Sequence, residues 1–135
     1  MRVMNAEETM QAYIAKYKMA TFLNEDLLKH LELFHFSAYS NVYIEEDIQH
    51  TLYFLVEGQV QCNHYQLNGN LAVLALSEPF CAIGDLEILT KERVNSNVIA
   101  TKDTTMLGIA RPIVERYGAN DAAFLRFLPL MLTHK

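Results

Sequence analysis

The chain has 135 residues, a hydrophobic share of 51% and a formal net charge of -5. This length suits one domain with a single core. The acidic balance argues against a nucleic-acid surface, which needs clustered Lys and Arg to neutralise phosphates. No apolar stretch approaches the about 20 residues that cross a bilayer, and the polar start from Met1 to Glu8 is unlike a signal peptide. We therefore expect a single cytoplasmic domain with no membrane partner.

Residues 1–35 show helical periodicity and are assigned to N-terminal helices. A first helix is predicted over residues 5–18, and its apolar face carries Met10, Tyr13, Ile14 and Tyr17. Asn24 is a good N-cap and predicts a second short helix. The buried stripe of that helix is expected to include Leu27, Leu28, Leu31 and Leu33 or Phe34.

Residues 36–110 are assigned to a β-rich core, because aromatic and β-branched residues become frequent near Phe36. The clearest hairpin joins residues 59–66 and 70–76 through Asn68-Gly69, a pair that tolerates the positive φ of a type I′ turn. A further strand pair is predicted at Ser96–Lys102 and Thr104–Ala110, joined by a polar corner at Lys102-Asp103. Many short strands bracketed by helices predict an α+β domain built round a β-barrel or sandwich.

Residues 111–135 are assigned to C-terminal helices. Pro112 suits a first helical position, Gly118 ends that helix, and Asn120 is expected to cap a last one. Pro129 predicts a kink, because proline removes one backbone N–H. The last helix carries a wide apolar surface, which is typical of a partner-binding element.

Three segments follow one family pattern in order. Residues 51–60, Thr-Leu-Tyr-Phe-Leu-Val-Glu-Gly-Gln-Val, contain a strand, a tight turn at Gly58 and a second strand. Residues 80–89, Phe-Cys-Ala-Ile-Gly-Asp-Leu-Glu-Ile-Leu, have the form of a phosphate-binding cassette, and residues 96–112 have that of a last strand pair with its exit helix. The chain thus resembles the cyclic-nucleotide-binding-like effector domain of Crp-Fnr superfamily transcription regulators. The amino-acid sequence of the cassette is similar to that of the YeiL-like regulators.

This resemblance implies a fold and an assembly. The fold would be a β-roll, a double-stranded β-helix or jelly roll, with N-terminal helices and a C-terminal dimerisation helix. The chain would form a homodimer and would reach DNA only through a helix-turn-helix domain that is missing here. An effector in the roll would change how the two dimer helices cross. The dimer-helix candidates are Phe124, Leu125, Leu128 and Leu132.

The resemblance also implies a candidate effector pocket around the phosphate-binding cassette. Its residues are Ile83, Gly84, Asp85, Leu86, Glu87, Arg93, Val94 and Asn95, with Phe127 and Leu128 as lid contacts. Family members that bind cyclic nucleotides use an Arg to neutralise the phosphate, and an ungapped alignment puts Val94 at that position. Arg93 is one step away, which on a strand reverses the direction of its side chain.

Two acidic residues also depart from the family pattern. Glu87 stands where the family has Ala or Gly, so it adds bulk and repels a phosphate. Glu46 stands where the family commonly has Gly. We therefore expect no cyclic nucleotide and no other cofactor, but an unidentified small-molecule effector. The alternative is a ligand-free interaction and dimerisation module with the same fold.

Metal and enzyme chemistry find little support in the sequence. None of the five histidines forms an HxH, HxxxH or HExxH pattern, so no metal site is expected. The two cysteines, Cys62 and Cys81, are too few for an iron–sulfur cluster. Cys81 directly precedes the cassette, so burial and a redox or ligand-contact role both stay open. GxSxG, P-loop, GxGxxG and HExxH motifs are absent, and no enzyme is expected.

Overall fold

The computed structural model describes residues 6–43, 51–65, 71–83 and 96–127. The chain starts with helix α1 (Ala6–Lys16), a 3-10 turn (Met19–Thr21) and helix α2 (Glu25–Lys29). The predicted cap at Asn24 is confirmed, because its Oδ1 accepts a hydrogen bond from the backbone N–H of Leu27 at 2.8 Å. Within the described ranges, no helix is long and apolar enough to cross a membrane.

Eight described strands form two antiparallel four-stranded sheets. The strands are β1 (Glu32–Phe36), β2 (Asn41–Tyr43), β3 (Thr51–Glu57), β4 (Val60–Tyr65), β5 (Leu71–Ser77), β6 (Cys81–Ile83), β7 (Ser96–Ala100) and β8 (Thr104–Ala110). The first sheet has the order β1-β8-β3-β6 and the second the order β2-β7-β4-β5. The predicted α+β domain with a β-roll is therefore confirmed.

Two features of the strands differ from the sequence-based expectation. Strand β1 begins at Glu32, so Leu33 and Phe34 lie on a strand and do not extend α2. The prediction that Ser96–Lys102 and Thr104–Ala110 pair with each other is wrong. Strand β7 pairs with β2 and β4, while β8 pairs with β1 and β3. The corner between β7 and β8 carries the chain from one sheet to the other.

Side-chain hydrogen bonds hold this corner against the turn between β3 and β4. The hydroxyl of Thr101 donates to the side-chain oxygen of Gln59 at 2.7 Å. Gly58 has a φ of 104°, and a Cβ there would lie 2.5 Å from Oγ1 of Thr104 and 2.7 Å from the carbonyl oxygen of Asp103. The turn therefore requires glycine both for its backbone conformation and for this close approach. The β4–β5 hairpin is confirmed by pairs such as Val60 with Ser77, and the turn predicted at Asn68-Gly69 lies outside the described residues.

The buried side chains of β3 alternate between two hydrophobic cores. Leu52, Phe54 and Val56 point to an outer core that the helices cover. Leu55 points the other way, into an interior core between the two sheets. The interior core contains Leu55, Val60, Cys81, Ile83, Val98 and Met106. This alternation follows from the period of two along a strand, and it makes both faces of the first sheet apolar.

Two short helices follow β8. Helix α3 (Arg111–Tyr117) has Pro112 in its first turn, and the N–H of Gly118 donates to the carbonyl of Val114 at 2.8 Å where it ends. Helix α4 (Ala122–Phe127) is not capped by Asn120 as predicted. Its cap is Asp121, whose Oδ1 accepts from the N–H of Phe124 at 2.9 Å. The predicted kink at Pro129 lies outside the described residues.

Candidate functional site

Strand β6 lies within the predicted cassette and brings the first predicted pocket residue, Ile83, into the interior of the roll. Ile83 lies opposite Tyr53 of β3, and its side chain is 1% exposed. Ala82 points to the outer core and Ile83 to the interior core. The other predicted pocket residues lie outside the described residues and stay predictions: Gly84, Asp85, Leu86, Glu87, Arg93, Val94 and Asn95. Glu46 lies outside them as well.

Cys81 shares the interior face of β6 with Ile83. Its thiol is buried, with the residue 8% exposed, in the core that contains Leu55, Val60 and Met106. Burial is therefore its observed environment, and little of the thiol is accessible from solvent. The side chain of Cys62 lies outside the described part.

Three aromatic side chains form a group on the interior face of the first sheet, beside Ile83. We call Phe34, Phe36 and Tyr53 the aromatic wall. The rings of Phe34 and Phe36 have centroids 6.5 Å apart and are inclined by 16°. Tyr53 lies edge-on to both, at 5.4 Å from Phe34 and 5.7 Å from Phe36. All three are half-buried, so parts of the rings remain accessible.

The aromatic wall depends on a glycine in the strand between its members. Gly108 of β8 is the register partner of Tyr53 on one side and of Glu32 on the other. A Cβ at this position would lie 2.7 Å from Cε2 of Phe34 and 2.9 Å from the methyl group of Thr51. The ring of Phe34 therefore occupies the space that a side chain at 108 would take.

Sequence reasoning missed the aromatic wall because it assigned Phe34 to a helix. The spacing of Phe34 and Phe36 by two residues was the signal that could have revealed it, since such residues share one face of a strand. The hydroxyl group of Tyr53 is also affected by its position. Burial raises the pKa of Tyr53, and a hydrogen bond with the Thr51 side chain opposes this rise.

The predicted lid and dimer residues that are described lie on the outer side of the first sheet. Phe127 contacts Phe22 with ring centroids 5.8 Å apart, and Phe22 in turn packs on Phe54 and Phe80. Phe124 is fully buried in the outer core, whereas Leu125 is 37% exposed. Leu128 and Leu132 lie outside the described residues.

The described histidines make local hydrogen bonds. His30 Nδ1 lies 2.7 Å from the carbonyl oxygen of Asp26, and His35 Nδ1 lies 3.1 Å from the hydroxyl of Thr105. No group of three or more His, Cys, Asp or Glu side chains that could hold a metal ion is present in the described ranges. His35 and Thr105 also line an open cavity of about 360 Å³ with Phe36, Glu57 and Asp103.

Comparisons with known proteins agree on one family. The profile of the cyclic nucleotide-binding domain matches residues 33–121. The regulatory protein YeiL of Escherichia coli O157:H7 is 26% identical over 110 residues, which cover 82% of this chain and 50% of that protein. The chain thus spans about half the length of the curated relative it matches.

Two solved structures are similar in fold. The sensor domain of the transcriptional regulator DNR from Pseudomonas aeruginosa has a TM-score of 0.73 at 12% identity, covering 94% of this chain and 88% of that one. The catabolite activator protein of Thermus thermophilus has a TM-score of 0.62 at 22% identity, covering 81% of this chain and 49% of that one. These two structures share the fold of this chain, and the profile match over residues 33–121 shows that the chain belongs to the cyclic nucleotide-binding domain family.

Proposed function

We propose that this chain is the ligand-sensing and dimerisation domain of a Crp-Fnr-type bacterial transcription regulator in the cytoplasm, without catalytic activity of its own. The observation that carries the proposal is the half-buried aromatic wall beside Ile83, in a domain of a family built to bind ligands inside the roll. A purely structural roll would gain more stability by burying these rings completely. The regulatory role of YeiL and the sensing role of the DNR domain support the same class of function.

The pocket is proposed to be divergent and not to bind cyclic AMP in the usual way. Val94 takes the position of the phosphate-binding Arg, and Glu87 adds a negative charge to the cassette. Among the described residues, the interior core contains only uncharged side chains. An anionic phosphate would therefore lose its hydration without gaining a cationic partner from this part of the roll.

A route from the pocket to the dimer helix supports the regulatory part of the proposal. Phe80 directly precedes β6 and packs on Phe22, with ring centroids 6.0 Å apart. Phe22 packs on Phe127 of α4 at 5.8 Å. A displacement of β6 on effector binding would press on these rings and shift α4. A shift of α4 would change how the two helices of a homodimer cross and, in a longer regulator, how a DNA-reading domain is placed.

The alternative is a ligand-free interaction and dimerisation module with the same fold. It is favoured by the close packing of Leu55, Ile83 and Met106, which already fills part of the interior. The two functions differ in one measurable property. A sensing domain binds a small molecule in its folded state and is stabilised by it, whereas a ligand-free module is not.

Thermal unfolding of the chain with millimolar cyclic AMP or cyclic GMP tests the divergent pocket. We expect no change in midpoint, because neither Val94 nor the uncharged interior compensates the phosphate. A ligand at 100 times its Kd would add about 2.7 kcal/mol and raise the midpoint by about 5–10 °C. A dose-dependent rise with either nucleotide would therefore contradict the divergent pocket and restore nucleotide sensing.

The same assay with uncharged and cationic metabolites separates the two functions. A saturable rise with one of them supports sensing. If a broad set of such compounds leaves the midpoint unchanged while the chain is dimeric, the ligand-free module is the better description.

A further inference from the structure

The aromatic wall indicates the chemical class of the effector. We propose that Phe34, Phe36 and Tyr53 bind an uncharged aromatic ring of the effector by stacking and edge-to-face contacts. This inference rests on the proposed sensing function, because it concerns what the roll binds. It adds to that function the residues that contact the ligand and the chemical class of ligand that they favour.

The ring geometry supports a ring-shaped ligand. Phe34 and Phe36 are inclined by only 16° with ring centroids 6.5 Å apart, so they form a loosely stacked pair along β1. Tyr53 meets this pair edge-on at 86° and 83°. Aromatic rings prefer offset-stacked or edge-to-face neighbours, so a ligand ring beside these three side chains can make both kinds of contact at once.

The surroundings of Gly108 limit the size of a group that could enter between Phe34 and Tyr53. The Phe34 ring already lies where a side chain at 108 would be, and the methyl group of Thr51 closes the same space from β3. The ligand therefore approaches the wall from the accessible sides of the rings and does not insert between them. Residue 108 sets the spacing of Phe34 and Tyr53 and is a positioning residue in this sense.

The charge around the aromatic wall favours a neutral ligand over an anionic one. The buried neighbours on the interior face are uncharged, and the charged groups nearby are acidic: Glu32 is the register partner of Gly108, and Glu57 and Asp103 line a cavity together with Phe36. An anion buried there would remain uncompensated, which is costly in an apolar environment. The chain as a whole carries a net charge of -5, which opposes anions further.

A pair of fluorescent probes with the same rings tests this inference on the full chain. N-phenyl-1-naphthylamine is neutral, and 1-anilinonaphthalene-8-sulfonate is the same ring system with an anionic sulfonate; both brighten in apolar surroundings. We expect saturable binding of the neutral probe with one site per chain. Its dissociation constant should be at least about tenfold lower than that of the sulfonate, because the wall offers no partner for the charge.

Substitutions locate the probe. Tyr53→Leu and Phe34→Leu keep an apolar side chain but remove the ring, and each should weaken binding of the neutral probe about tenfold. Tyr39→Leu is the matched control, because Tyr39 is 81% exposed and lies outside the wall. If a wall variant fails to fold, as judged by its thermal transition, Phe36→Leu replaces it.

The outcomes separate this inference from the proposed function. Equal affinity for the two probes, or binding of the neutral probe that is unaffected by the wall variants, overturns the ring-binding wall. A midpoint rise with an anionic metabolite and no binding of the neutral probe would overturn it while leaving the sensing function intact. If no metabolite stabilises the chain but binding of the neutral probe still depends on Tyr53 and Phe34, the ring-binding wall is supported and the sensing function is contradicted.

Discussion

Tyr13 and Glu57 form a side-chain hydrogen bond between helix α1 and the end of strand β3. The hydroxyl of Tyr13 donates to Oε2 of Glu57 at 2.5 Å. Burial, the hydrogen bond to Glu57 and the negative charge of Glu57 together raise the pKa of Tyr13 to about 12, and burial is the largest of these causes. The folded chain therefore keeps a proton at a pH where the unfolded chain, with a tyrosine pKa of about 10, has lost it.

We predict that this pair makes stability depend on pH in the alkaline range. A raised pKa in the folded state gives a contribution that is complete below about pH 10 and is lost as the pH rises towards 12. Tyr13→Phe should flatten the decrease of the urea midpoint between about pH 9 and 11.5. Tyr39→Phe, at an exposed position, should keep the slope of the original chain. Equal slopes for Tyr13→Phe and the original chain would mean that the contact contributes nothing.

At the scale of elements, Asn24 connects the start of α2 to the C-terminal helices. Its Oδ1 caps α2, while its Nδ2 donates to the carbonyl of Tyr117 at 2.9 Å and to Oδ2 of Asp121 at 2.7 Å. Asp121 caps α4 in turn, and hydrogen bonds from the N–H of Phe124 and from Asn24 lower its pKa. The side-chain amide of Asn24 thus contributes hydrogen bonds at the starts of both α2 and α4, which lie far apart in sequence.

Asn24→Ala should destabilise the fold by about 2–3 kcal/mol, because it removes a cap and leaves the Tyr117 carbonyl without this donor. Asn24→Asp keeps the cap acceptor but replaces the donor to Asp121 by a like charge. Its loss of stability should shrink as the pH falls, because repulsion between the two adjacent carboxylates raises the pKa of the pair, which then takes up one shared proton. Urea unfolding at pH 7 and about pH 3.5 measures both effects. Asn120→Ala is the control, since Asn120 is exposed and does not cap α4; a cost equal to that of Asn24→Ala would contradict this assignment.

At the scale of the whole molecule, the fold divides α4 into a buried and an exposed side. Phe124 and Phe127 pack on the outer core, which leaves Leu125 as an exposed apolar residue of the same helix. An exposed leucine next to a predicted apolar seam is consistent with pairing between two copies. The proposed homodimer would bury it.

Leu125→Glu should therefore shift the chain from dimer to monomer, because a two-fold seam places two added carboxylates near each other. Light scattering coupled to size exclusion, at several protein concentrations, gives the mass directly. Ala123→Glu adds the same charge at another exposed position of α4 and should leave the dimer intact. A monomeric original chain, or a dimer that survives Leu125→Glu, would contradict a seam at this residue.

Much of the architecture was predictable from local sequence, and the reasons are physical. The cap at Asn24 and the positive φ at Gly58 depend on residues within a few positions of one another, and the hairpin of β4 with β5 joins two strands that are consecutive in sequence. Side-chain period and turn chemistry are local properties, so they appear in the sequence itself. The motifs at residues 51–60 and 80–89 also pointed to the family that the profile match supports.

Three features were decided only by tertiary structure. The strands β7 and β8 separate into different sheets because each finds its partners far along the chain. Asp121 replaces Asn120 as the cap of α4, where it also meets Asn24. The aromatic wall exists because β8 brings Gly108 between Phe34 and Tyr53. The sequence by itself determined the local elements and the family, while contacts between distant residues decided the sheet order and the wall, since no local pattern encodes which strands become neighbours.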